Sequence, residues 1–152
     1  MSLTVSLSGN DSFQLNNQVL STLANDKPVD VTFPNELAAV SQGKNGTTIY
    51  AQNSMGNVAE VVLRLLLGGV DDKYLNSILQ QQQTNFSGFS LMTSVFSKLV
   101  GDGNGNITTV IYQLSGGIIM KGLEAATSAT GDVNTSVVVW PLKFGNWVRI
   151  IA

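Results

Sequence analysis

The residues able to do chemistry are few. Among 152 residues there are ten carboxylates, eight Lys or Arg, no His and no Cys. The commonest general base and metal ligand is therefore missing, as are thiolate chemistry and disulfides. Serines are plentiful, but a nucleophilic serine needs an activating base, and the His that would serve is absent. The only adjacent carboxylates are Asp71 and Asp72, which stand where a helix N-cap is expected. Asp102, Asn104 and Asn106 alternate with glycines like the opening of a calcium loop. The place for its bidentate Glu holds Gln113, and a strand pattern follows, so the segment reads as a glycine-rich hairpin loop. These residues imply no catalytic centre, no cofactor and no metal.

Three further patterns bear on binding. Trp140, Phe144 and Trp147 lie close together near the C-terminus. Exposed, they would make a sugar-stacking platform; buried, they would close a core, the commoner use of such rings. Asn-X-Ser/Thr sequons begin at Asn10, Asn45, Asn85, Asn106 and Asn134, which an Asn- and Thr-rich composition explains without glycosylation. Gly68-Gly69 and Gly116-Gly117 fit no phosphate-binding loop.

The elements that must position these residues are mostly strands. Met1 to Leu7 alternates polar and apolar, reading as a half-buried strand rather than a signal peptide. Phe13 and Leu15 mark a second short strand, and residues 16–28 carry no clear period. Asp30 to Phe33 is a strand stopped by Pro34, with Leu37 to Val40 as its possible continuation. Gly43 to Gly46 reads as a hairpin turn before a strand from Thr47 to Gln52. Val58 to Leu67 is the strongest strand. Ala59, Val61, Leu63, Leu65 and Leu67 form an apolar face, and Glu60 and Arg64 stand on the mixed face. Leu75, Ile78, Leu79 and Gln82 at helical spacing place a helix over Asp72 to Gln83, with Gln80 to Gln83 on its neutral exposed side. Phe89 to Val100 is apolar with mixed periodicity, and Gly101 to Asn106 is a flexible turn. Two strands, Ile107 to Leu114 and Ile118 to Leu123, pair across Ser115 to Gly117. Ala125 to Asp132 is a loop. Val133 to Trp140 and Gly145 to Ile151 close the domain, with Pro141 as an edge or bulge between them. The expected fold is mainly β, a β-sandwich or open β-barrel with one packed α-helix, in one domain over residues 1–152.

Charged residues make up 12% of the chain, about half the usual share. Polarity comes instead from Asn, Gln, Ser, Thr and Gly, which lose less than charges when an interface covers them. The net charge of -2 and the lack of any basic run argue against tightly held nucleic acid. The apolar run from Leu65 to Val70 contains two glycines and is too short for a membrane span. A structural, self-assembling protein fits this composition better than an enzyme.

From Gly56 onward the order of features resembles the tail tube proteins of contractile, myophage-type bacteriophages. Gly56 to Leu67 looks like their long strand, and Asp72 to Leu79 with the Gln run like the helix that follows. The Ile107 to Leu123 region looks like their hairpin, and Val137 to Leu142 with Trp147 to Ile151 like their closing strands. The resemblance implies a homo-oligomer of stacked, hexameric rings, joined sheet edge to sheet edge, inside a virion assembled in the host cytoplasm. It implies a sheath, a tape measure protein, a baseplate hub and a tail terminator as partners, and non-specific passage of DNA through the lumen. Glu60 and Arg64 are then candidates for lumen or inter-subunit exposure, and Lys44, Asn45, Asp102 and Asn104 for assembly loops. Two other readings stand beside this one: a receptor- or glycan-binding module of a tail or baseplate, and a hydrolase using two carboxylates.

Overall fold

A computed structural model of the chain describes residues 6–7, 11–23, 28–120 and 137–152. Its centre is β7, Ala59–Leu66. Ala59, Val61, Leu63 and Leu65 are fully buried, as their alternation requires. Leu67, the next residue on the expected apolar face, is 63% exposed, because the strand ends at Leu66 and the chain turns at Gly68 with φ 74°.

On one side of β7 lies the short β4, Val29–Thr32; on the other lies the N-terminal half of β10, Val137–Ile151. β10 runs on beyond Phe144, the last partner of β7, and from Leu142 to Ile151 pairs with β9, Ile107–Ile119. β9 pairs in turn with β8, Met92–Gly101. β8 takes β2, Ser12–Leu15, and at its far end β1, Ser6–Leu7; β3, Gln18–Val19, closes the edge. The result is an eight-stranded antiparallel sheet ordered β3-β2-β8-β9-β10-β7-β4, with β1 off that path. β5, Ala38–Gln42, and β6, Thr48–Gln52, form a separate two-stranded sheet. The fold is mainly β with one helix, as expected.

The helix α1, Val70–Thr84, packs on the buried face through Leu75 and Ile78. Its N-cap is Gly69, not an aspartate. Asp72 sits in the first turn, where one oxygen accepts from the Gly68 N–H at 2.9 Å and the other from Trp140 Nε1 at 3.0 Å. Asp71 turns away from the helix altogether. Gln82, expected on the exposed side, is buried: its Nε2 donates to the Ile119 carbonyl at 2.9 Å and its Oε1 accepts the Ile119 N–H at 3.0 Å. It gives the end of β9 the two bonds a neighbouring strand would give.

One expected continuation and two expected breaks are absent. Leu37 to Val40 does not continue β4 but belongs to the separate hairpin. β9 passes through Ser115 to Gly117 without turning; the hairpin is formed by β8 and β9 across residues 102–106. β10 passes through Pro141 and Gly145. Pro141 is tolerated because it stands just past the last paired residue of β9, where its carbonyl accepts from the Met120 N–H at 2.9 Å and its missing N–H forgoes only the end bond of the ladder.

What replaces the breaks is a change of face. In β9 the buried positions shift from Leu114 to Gly117 and Ile119; in β10 they run Val138, Trp140, Leu142, Phe144, then resume at the half-buried Trp147. Gly116, with φ 66°, and Gly145 lie opposite each other at the switch. A positive φ there lets one strand serve two stretches of core without ending. Gly117 has no Cβ because the Phe144 ring lies on that spot. The first expected strand falls on described residues only at Ser6–Leu7; the Ala125–Asp132 loop and Val133 to Ser136 lie outside them.

Candidate assembly surface

The residues singled out above divide into separate regions. Glu60 and Arg64 are half-buried on the sheet face away from α1. Cross-strand rows on that face place Thr32, Glu60, Lys143 and Ile118 side by side, then Asp30, Val62 and Pro141, then Arg64 and Val139. Two acids and two bases share this half of the face, so its charges balance.

The same outer face changes character past Gly145. One row joins Gln14, Val95, Gln113 and Val148; the next joins Ser12, Ser97, Ile111 and Ile150. Neither row contains a charge. Val148 and Ile150 are exposed on it, as is Ile107 at its end.

Asp102 and Asn104 cap this ribbon. Asp102 Oδ1 accepts from the Asn104 N–H at 2.7 Å and the Asn106 N–H at 3.2 Å; Oδ2 accepts from Asn106 Nδ2 at 2.7 Å. The carboxylate is thus occupied by its own loop, and a cation would have to displace those donors. The Asn106 side chain first, then the Asn104 backbone N–H, hold its pKa below the usual Asp value. No group of three or more potential metal-ligating side chains occurs among the described residues.

Lys44 and Asn45 form the tip of the β5–β6 hairpin, closed by the Gly43 N–H on the Thr47 carbonyl at 2.7 Å. No side chain of either strand is buried. Val40 and Tyr50 are paired on one face and Ile49 points from the other, all largely exposed, Tyr50 at 74%. A two-stranded hairpin with no third strand and no packed face is marginal in water on its own. The sequence carries one signal of this: apolar residues fall on both faces, so neither is a proper core face.

The C-terminal aromatics are used internally. Trp140 and Phe144 are fully buried. Trp147 donates Nε1–H to the Gly56 carbonyl at 2.9 Å and lies against Phe33 with centroids 4.3 Å apart. An aromatic row continues across the sheet from Phe13 to Phe96 to Tyr112, ending under the Arg149 guanidinium, 5.6 Å from the Tyr112 ring centre. These rings pack and bridge rather than offer a sugar platform. A groove of about 540 Å³ beside α1, lined by Ser77, Gln80, Gln81, Thr84, Asn85 and Phe89 among others, contains no titratable side chain. It has nothing to move a proton.

No protein-family model matches the chain. No curated protein matches it by sequence either. Its fold is similar to those of several solved structures, among them a cap and a terminator. The anti-feeding prophage cap, described as a tube terminating cap, aligns with a TM-score of 0.66 at 9% identity, covering 100% of this chain and 95% of that one. The sheath/tube terminator of the PVC extracellular contractile injection system in its extended state aligns with a TM-score of 0.55 at 12% identity, covering 92% of each chain. At these identities the likeness is one of fold. One is named as a cap and the other as a terminator.

Proposed function

We propose that this chain is a non-enzymatic structural subunit of a contractile, phage-tail-like particle, acting as a ring-forming cap or terminator at the end of the tube. The observation that carries the reading is the end-to-end fold match to a tube terminating cap, with almost nothing left over in either chain. Uncharged, exposed apolar surface on the hairpin and the distal ribbon supports it, since such surface gains from being covered in an assembly and is unfavourable in water. The partners under this reading are other copies of the chain, the last ring of the tube, and the sheath. The virion or extracellular particle is its place.

A tube subunit is the second reading, favoured by the long strand, helix and closing strands from Gly56 onward. One experiment separates them. Purified chain is concentrated alone and with sheared tubes, then imaged by electron microscopy. A cap gives single rings, or density only at tube ends. A tube subunit gives stacks that lengthen with concentration. Persistent monomers that never decorate a tube end would sink both.

A further inference from the structure

β10 has an open edge. β7 leaves it at Phe144, and from Asn146 to Ile151 its ladder partner is β9. Thr109 and Ala152 exchange both backbone bonds at 3.0 Å, so by antiparallel alternation the N–H and C=O groups of Trp147, Arg149 and Ile151 point away from β9. Among the described residues no strand pairs with them. Such an edge is a template for another strand.

The β5–β6 hairpin has the complementary edge. The Gly43 N–H bonds the Thr47 carbonyl and the Asn53 N–H bonds the Leu37 carbonyl at 2.9 Å, which fixes the alternation. Thr48, Tyr50 and Gln52 then turn their backbone groups away from β5. The two edges offer three residues each.

The geometry points to a second copy of this chain as the occupant: its β6 adds antiparallel to the open edge of β10, with Thr48 opposite Ile151, Tyr50 opposite Arg149 and Gln52 opposite Trp147. The assembly reading above is its premise. Three features select this partner. Side chains match row by row, Ile49 beside Ile150 and Ala51 beside Val148 on the uncharged outer face, and Tyr50 beside Arg149 on the other, where the guanidinium already lies over Tyr112. Charges match at the ends. Lys44 is the only charged residue between Leu37 and Asn53, and this orientation carries the hairpin tip past Ile151 toward the loop whose only charge is Asp102. The hairpin also gains the third strand it lacks. Donor and acceptor are different patches of one chain, so the contact is head-to-tail and propagates or closes into a ring.

The absence of Cys makes the test clean. Ile49→Cys and Ile150→Cys chains are mixed and exposed to a mild oxidant. In this register the two residues form a non-hydrogen-bonded pair with Cα atoms about 4.5 Å apart, within disulfide reach. The mixture links into heterodimers at least about tenfold more than either chain alone, and the double variant gives a ladder of oligomers. Thr48→Cys mixed with Ile150→Cys, on opposite faces, links poorly. Hydrogen exchange gives a second readout: the Arg149 and Ile151 amides become protected on association. The pairing is overturned by no linkage where light scattering shows association, by equal linkage from Thr48→Cys, or by unprotected amides in the assembled state. Rings without the linkage sink the pairing and leave the assembly reading standing. Linked chains that neither close nor bind a tube end do the reverse.

Discussion

Asp71, the second residue of α1, is 1% exposed. Its Oδ2 accepts from the Ser21 N–H at 2.7 Å, the Thr22 N–H at 2.6 Å and Thr22 Oγ1 at 2.9 Å. It therefore ties the segment that follows β3 to the start of α1. Asp71→Ala leaves those donors without an acceptor, and urea unfolding is expected to show a loss of about 2–4 kcal/mol. The neighbouring Asp72→Ala, which removes a half-buried carboxylate accepting two bonds rather than three, costs less. Asp102 behaves differently. Its three loop bonds are all solvent-exposed, so they set local order rather than global stability. Its folded pKa lies below the unfolded value, so the bonds are fully present above the ordinary Asp range and are lost as pH falls through the depressed value. An NMR titration should show the Asp102 carboxyl titrating below the usual 3.8, with the Asn104 and Asn106 amides losing protection over the same pH range. Titration at or above that value would contradict the hydrogen-bonded loop.

At the scale of elements, legibility follows periodicity. β7 and the apolar side of α1 are readable because one face of each is wholly buried, and alternation or helical spacing records that directly. The glycines of β9 and β10 mimic turns. A glycine that ends a strand and one that flips its pleat look alike in sequence; the difference is whether the next strand's partner lies across the same ladder. Asp71 and Gln82 are legible as helix residues, but their tasks are not. Capping is local, whereas their real partners lie 50 and 37 residues away in sequence. The pleat switch has a cost that can be measured. Gly117→Ala drives a methyl into the Phe144 ring, and overpacking of this kind costs about 1–3 kcal/mol in thermal or urea unfolding. A paired Phe144→Leu change opens room and should recover part of that loss. If Gly117→Ala is neutral, the two strands do not depend on that close approach.

The whole molecule presents two outer surfaces of opposite character, and they make different predictions about assembly. Around Glu60, Arg64, Asp30 and Lys143 the sheet is charged and balanced; along Val148, Ile150 and the β5–β6 hairpin it is uncharged apart from the tip lysine. An interface built on the first would be screened by salt, because the Debye length falls from about 10 Å at 0.1 M to about 3 Å at 1 M. An interface built on the second rests on backbone bonds and apolar contact. The one ion pair the proposed pairing would add, Lys44 with Asp102, is exposed and worth at most about 1 kcal/mol. Self-association measured by sedimentation from low salt to about 1 M should therefore change by less than about tenfold, and Lys44→Gln should remove most of whatever salt dependence remains. A fall of several orders of magnitude would move the interface to Glu60 and Arg64, and the open edge of β10 would then face something other than a second copy.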